Sequence, residues 1–332
     1  MPSQAQWRAA KARMQMYTAL RGFFGEQGYL EVETPTLLAT PGLEPHIDPF
    51  EAPFIPQTDV GTKRSFWLHT SPEYAMKRLL ADGSPPLFQI CKTYRNGEIS
   101  GTHNPEFTML EFYRPHADYH AIMNDLEQAL AAVERVVAPG RGLFTQLPFE
   151  RLTVRDAVLR HTGIDLWAHP DGESLKRAAK SIGVHVGEST SFDDVFFHIF
   201  LERVERELGK GRPTFLIEYP ASMASLSRLK ADDPRVAERV ELYADGVELA
   251  NGFSELIDAV EQRTRLVEEQ ELRRSLGRPV FDLDEKFLAA LPKMPASGGI
   301  AVGLDRVLML LLGVKEIAEV LLFPAREFFG GD

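Results

Sequence analysis

The chain has 332 residues, 44% of them apolar and 26% charged, an ordinary globular composition that excludes a disordered, collagen-like or disulfide-framework protein. Its 37 basic and 48 acidic residues leave a net charge of −11, which argues against generic polyanion binding. Cys91 is the lone cysteine, so no intramolecular disulfide forms and a reducing compartment is expected. The segment from Met1 to Met16 is polar and basic, unlike a signal peptide, and no stretch reaches the ~18 apolar residues of a membrane span. These absences predict a soluble, cytoplasmic protein.

In chain order, residues 4–27 read as a helix, with Trp7, Ala10, Met14, Tyr17 and Phe24 near a 3.6 period and Gly28 as its stop. A short strand over 30–33 runs into Thr34-Pro35, and the proline-rich stretch 39–62 reads as a long loop. Ser71-Pro72-Glu73 has the form of a helix start, with Ser71 as N-cap, and the helix ends at Asp82-Gly83. Strands are expected over 87–95 and 107–114, around a polar loop at 96–104, followed by a helix over 119–137. Residues 140–211 form a mostly helical insertion, with helices near 153–161, 172–182 and 192–208 and no recognisable chemistry. A strand at 214–218 precedes a hairpin over 236–251, turned by Asp245-Gly246. A long helix is expected over 254–276, opened by Ser254, and a strand over 300–302 leads through Gly303 into an apolar helix from Asp305. The pattern is α+β, a largely antiparallel sheet flanked by helices.

Three constellations could carry chemistry. On the strand 107–114, Phe107, Met109, Glu111 and Tyr113 share one face. A carboxylate among aromatics needs a partner: either a neighbouring Lys or Arg, or a ligand amine gripped by Glu111 and Tyr113 while Phe107 stacks a flat ring. Arg95 ends the preceding strand, where a fixed cation is either solvated or binds carboxylate or phosphate. In the hairpin, a two-residue loop pairs Ala244 with Val247 and Tyr243 with Glu248, making Glu241 and Glu248 diagonal neighbours roughly 7–8 Å apart. Two acids so placed either face solvent or hold a cation such as Mg²⁺ bridging phosphates. Asn251, Phe253 and Glu255 differ in parity from Glu248, so a shared site requires a bulge, expected at Gly252. The glycines of 298–303 precede Arg306, which can reach phosphate from the first helical turn. His103 is either a ligand or a hydrogen-bonded structural residue. There is no phosphate loop, Rossmann fingerprint or zinc spacing.

Together these residues resemble the three motifs of class II aminoacyl-tRNA synthetases. Residues 28–37 (GYLEVETPTL) resemble motif 1, Tyr94-Arg95 through 103–113 (HNPEFTMLEFY) motif 2, and 303–306 (GLDR) motif 3. The stretches 103–111 and 248–256 (ELANGFSEL) are similar to lysyl-tRNA synthetase, and the resemblance spans about residues 10–325. It implies a synthetase-like catalytic domain that uses ATP and Mg²⁺ and pairs as a homodimer through motif 1. Arg95 would hold the substrate carboxylate and α-phosphate, Phe107 and Arg306 would sandwich adenine, and Glu98, His103 and Asn104 would join the ATP site. Glu241 and Glu248 would hold Mg²⁺. Glu73, Glu111, Tyr113, Asn251, Phe253 and Glu255 would line the amino-acid pocket.

The chain departs from lysyl-tRNA synthetases in several places. Asn96-Gly97 separates Arg95 from Glu98, so that acid comes one place late, and Thr102 stands where an Arg is usual. Motif 1 begins near residue 20, so residues 1–332 are expected to be a single catalytic domain without an anticodon-binding OB-fold. That truncation resembles the family of elongation factor P–(R)-β-lysine ligases, in which β-lysine is activated as its adenylate and passed to a lysine side chain of elongation factor P. Ser71 and Ala301 stand where lysyl-tRNA synthetases usually have Ala and Gly, and would set the preference for β-lysine. The resemblance implies elongation factor P and β-lysine as partners, with neither tRNA nor membrane. The alternatives are a truncated synthetase that charges tRNA and an inactive amino-acid-binding regulator.

Overall fold

The computed structural model describes residues 1–59, 61–188 and 191–329; positions 60 and 189–190, within the expected loop and insertion, and 330–332 lie outside the described residues. The strands are β1 (Leu30–Glu31), β2 (Leu37–Leu38), β3 (Glu51–Phe54), β4 (Arg64–Leu68), β5 (Leu87–Tyr94), β6 (Glu106–Pro115), β7 (Glu150–Thr153), β8 (Thr214–Pro220), β9 (Val236–Ala244), β10 (Val247–Ser254) and β11 (Ser297–Gly303). The helices are α1 (Gln4–Glu26), α2 (Glu73–Ala81), α3 (Tyr119–Val137), α4 (Val154–Thr162), α5 (Gly172–Ser181), α6 (Phe192–Ile199), α7 (Ala259–Ser275), α8 (Glu285–Ala290), α9 (Leu304–Leu312) and α10 (Arg326–Phe329). Eight strands form one sheet in the order β1-β5-β6-β11-β10-β9-β8-β7. Only the two outermost pairs, β1 with β5 and β7 with β8, are parallel. Among the described residues no helix is long and apolar enough to cross a membrane.

Alternation divides the central strands into two faces. Leu110 and Phe112 of β6, Val240 and Leu242 of β9, and Ile300 and Val302 of β11 point into one apolar core, covered by α1, α3 and α9. The residues between them face a cavity on the other side. The buried face of α1 follows Ala9, Ala12, Met16, Leu20 and Phe24; of the expected stripe Phe24 is buried and Tyr17 packs against the core, but Trp7 is 56% exposed and Met14 64%. The large side chains Trp7 and Met14 suggested a phase that the buried Ala9 and Ala12 do not follow.

Other boundaries also move. The expected loop at 39–62 contains β3, which joins β4 and β2 in a separate three-stranded sheet. Ser254 ends β10 instead of opening a helix; its hydroxyl accepts the Tyr119 amide, and α7 begins later under an Asp258 cap. Ser71 lies one residue before the α2 cap position, which Pro72 holds, although its hydroxyl still accepts the Glu73 amide at 3.0 Å. The insertion has its own core, in which Val154, Leu175, Val195, Phe196 and Phe200 pack against Leu216, Tyr219, Ala237 and Tyr243 of β8 and β9.

The hairpin register is as expected at the turn, with Ala244 opposite Val247 and Tyr243 opposite Glu248. The bulge falls between Glu248 and Ala250 rather than at Gly252, so Asn251 comes to lie directly opposite Glu241. Gly252 serves a different need. A Cβ there would come 2.7 Å from the Gly299 carbonyl oxygen and 2.7 Å from Ile300 Cβ. Gly252→Ala is therefore expected to lower stability by about 1–3 kcal/mol, seen as a lower urea midpoint at unchanged slope.

Candidate active site

A cavity of about 450 Å³ opens on the sheet face opposite the apolar core. At one end β6 contributes Glu111, only 1% exposed. Its partners are hydroxyls: Ser71 Oγ donates to one oxygen at 2.5 Å and Tyr113 Oη to the other at 3.3 Å. Burial first, then the charge of Glu73, pushes the Glu111 carboxyl up to about 8. The bulge carries Asn251, Phe253 and Glu255 onto this same face. Ala301 lies between Glu111 and Asn251 across the sheet. Gly299 admits the neighbouring groups, since a Cβ there would meet the Tyr113 ring at 2.2 Å and Glu255 Oε1 at 2.4 Å.

Behind these acids stands a residue that sequence reasoning missed. Lys77 of α2 is 1% exposed, and its Nζ lies 2.6 Å from Glu73 Oε1 and 2.5 Å from Glu255 Oε2. Burial opposes the ammonium, but Glu255 and Glu73 outweigh it and hold the charge. The available signal was the spacing: Lys77 follows Glu73 by one helical turn, on a face that also buries Met76 and Leu80.

Elsewhere the cavity lining carries three guanidiniums, Arg95, Arg239 and Arg306. The Arg95 guanidinium lies over the Phe107 ring, 5.1 Å from its centre, and 3.9 Å from Glu98. Arg95 Nε is buried without a hydrogen-bond partner. Arg306 donates to the Thr102 carbonyl at 3.2 Å, the Glu248 carbonyl at 2.8 Å and His103 Nε2 at 2.6 Å. A guanidinium only donates, so His103 Nε2 must accept and Nδ1 must carry the proton, facing Ser100 Oγ at 2.7 Å. Burial, Arg306 and Arg95 agree with this, lowering His103 to about 4. Asn104 spends its amide on backbone, donating to the Glu106 carbonyl at 2.6 Å and accepting from Ala325 N at 2.9 Å.

Glu241 accepts from Tyr219 at 2.5 Å, Tyr243 at 2.7 Å and Arg239 at 2.6 Å. These fill three of its four lone-pair positions. The nearest cation to the Glu248 carboxylate is Arg306 at 3.8 Å, and burial together with Glu241 raises the Glu248 carboxyl to about 7. Two repelling acids with oxygen positions to spare fit a hard divalent cation. Among the described residues no group of three or more metal-ligating side chains occurs. Such an ion would therefore take only these two protein ligands and complete its shell from phosphate and water. The insertion, whose sequence shows no recognisable chemistry, lines this same cavity with Phe196, Phe197, Phe200, Leu201 and Glu205. No local sequence signal marks that contribution, because it arises from packing across β8 and β9.

Residues 3–327 match the family model for tRNA synthetases class II (D, K and N), and the chain belongs to that family. Within it, the chain is similar to proteins named elongation factor P–(R)-β-lysine ligase. It is 40% identical over 313 residues to that of Edwardsiella ictaluri, covering 94% of this chain and 93% of the relative. The Salmonella arizonae protein is 41% identical over 315 residues and the Histophilus somni protein 39% over 313, each with the same 94% and 93% coverage.

Burial raises the Glu111 carboxyl and so favours its protonated form, whereas an ammonium ligand beside it favours the ionised form and displaces protons. Binding at pH 7 is expected to release protons, measurable by calorimetry in buffers of different ionisation enthalpy, and to release progressively fewer above pH 8. The same raised carboxyl makes the empty protein lose stability as pH rises toward 8, since its folded-state value lies above the unfolded one.

Proposed function

We propose that this protein is an ATP-dependent ligase that activates (R)-β-lysine as its adenylate and transfers it to a lysine side chain of elongation factor P. The observation that carries this reading is that one cavity combines the acids Glu73, Glu111 and Glu255 with the guanidiniums of Arg95 and Arg306. Three buried or half-buried carboxylates, Glu73, Glu111 and Glu255, suit a substrate with two ammonium groups, and Arg95 suits its carboxylate. The names of the relatives supply the particular substrate and acceptor.

In the first step a substrate carboxylate oxygen attacks the α-phosphorus of ATP, the bond to the β,γ-phosphates breaks, and pyrophosphate leaves. Arg95 offsets the charge of the reacting carboxylate and phosphate, and Phe107 provides an apolar face for the base. Arg306, braced by His103 and two carbonyls, reaches the nucleotide end. Glu241 and Glu248 would hold Mg²⁺, which supplies charge neutralisation to the phosphates. In the second step a neutral lysine ε-amine attacks the acyl carbon, AMP leaves and a proton is lost. At its reference pKa of ~10.4 only about one amine in a few thousand is neutral at pH 7, so proximity supplies much of the rate. α- and β-lysine have the same length from terminal amine to carboxylate, so selectivity rests on the wall beside C2 and C3, where we assign Ser71 and Ala301. We also propose a homodimer, supported by the exposed apolar Trp7 and Met14 on α1.

Intact-mass analysis of elongation factor P incubated with this protein, ATP and β-lysine is expected to show one added lysyl unit. Efficient charging of lysine tRNA with no change in elongation factor P would favour the synthetase alternative. Pyrophosphate exchange into ATP should depend on Mg²⁺ and a lysine-type substrate, without tRNA. Arg95→Ala and Glu248→Ala should each reduce it about 100-fold or more, and unchanged exchange in both would overturn the assignment of these residues.

A further inference from the structure

Lys77 does not line the cavity; it stands behind Glu73 and Glu255, which do. Its Nζ takes one oxygen of each acid and lies 5.9 Å from the centre of the Phe287 ring. Glu255 Oε1, the oxygen turned away from Lys77 and toward Gly299, is buried with no hydrogen-bond partner. A buried charge placed only to let the domain fold would be balanced by its surroundings. Lys77 is the one ammonium set among Glu73, Glu111 and Glu255, so once ligand ammonium groups draw the raised Glu111 carboxyl into its ionised form these three acids keep two uncompensated negative charges; Glu44, a fourth acid of the cavity, has the guanidiniums of Arg95 and Arg273 near it. Those two charges, and the unpartnered Glu255 oxygen, are what the internal lysine leaves for a ligand.

We propose that Lys77 is a specificity-determining positioning residue: by holding one oxygen each of Glu73 and Glu255, it reduces a triply acidic cluster to a doubly acidic one, matched to an amino acid with two ammonium groups. The inference rests on the diamino-acid reading of the pocket given above. Selection by charge count follows, because a monoamine leaves one buried carboxylate unpaired. Lys77 acts through the two glutamates and does not touch the ligand.

A double-mutant cycle on binding of β-lysine, read by calorimetry, tests this. Lys77→Met leaves three acids without an internal counter-ion, and Glu73→Gln leaves two acids shared with Lys77. Each is expected to weaken binding about tenfold or more, while the KM for ATP stays unchanged. The double variant restores the count of two negative charges and is expected to bind more tightly than either single variant. A double variant weaker than both, or a Lys77→Met protein with unaltered affinity, overturns the proposal. If Lys77→Met alone does not fold, recovery of a folded, β-lysine-binding protein in the double variant is the same rescue, and its failure is the same refutation. Glu73→Gln alone gives an independent readout. Its preference for β-lysine over 3-aminohexanoate, the same chain without the terminal amine, should fall about tenfold, and an unchanged ratio refutes charge matching. A wild-type protein that binds neither β-lysine nor α-lysine would overturn the pocket reading itself, whereas wild-type binding with an additive cycle overturns only the role of Lys77.

Discussion

The structure depends on a sheet that must be apolar on one face and ionic on the other. Period-two alternation gives every central strand both faces at once, so Leu110 and Phe112 enter the core while Glu111 and Tyr113 enter the cavity. A strict alternation along β10 would have placed Glu248 on the side opposite Asn251, Phe253 and Glu255. One extra residue, Leu249, resets the parity, and both ends of the cavity then draw on a single strand. That small irregularity joins the acid-lined end to the phosphate-facing end.

Placing so many ionised groups inside a protein is costly unless each meets a partner. The chain meets this cost with cations that are themselves fixed. Lys77 serves Glu73 and Glu255, Arg239 serves Glu241, and Arg306 is braced by His103 and two carbonyls. Asp305 plays the reverse role at the core edge. It pairs with Arg13 of α1 at 2.5 Å and accepts the Thr108 amide of β6 at 2.7 Å, locking the start of α9 to the strand that carries Phe107. The motif's Asp and Arg are thus divided between holding the scaffold and facing the cavity.

The sequence made the sheet and most of the cavity legible wherever a local rule dominates. The Asp245-Gly246 turn set the hairpin register, and alternation put Glu111 and Tyr113 on one face. The motifs of β5, β6 and β11 then brought the nucleotide end together. Reading failed where distant packing overrides local pattern. In α1, Ala9 and Ala12 are buried while Trp7 and Met14 are exposed, a phase that side-chain size alone does not show. The bulge lies at Leu249, while Gly252 stands where β10 passes β11 closely. Lys77 was not singled out in the sequence, since one of its two partners, Glu255, lies far along the chain.

Tyr219 and Tyr243 belong by their rings to the insertion's core, yet their hydroxyls both grip Glu241. Each is a stiff aromatic strut, anchored at one end in packed hydrocarbon and at the other on a carboxylate beside the cavity. The insertion is therefore mechanically geared to the nucleotide end of the sheet. A shift in how α6 seats against β8 and β9 would be transmitted through two rigid phenols to the position of one oxygen atom.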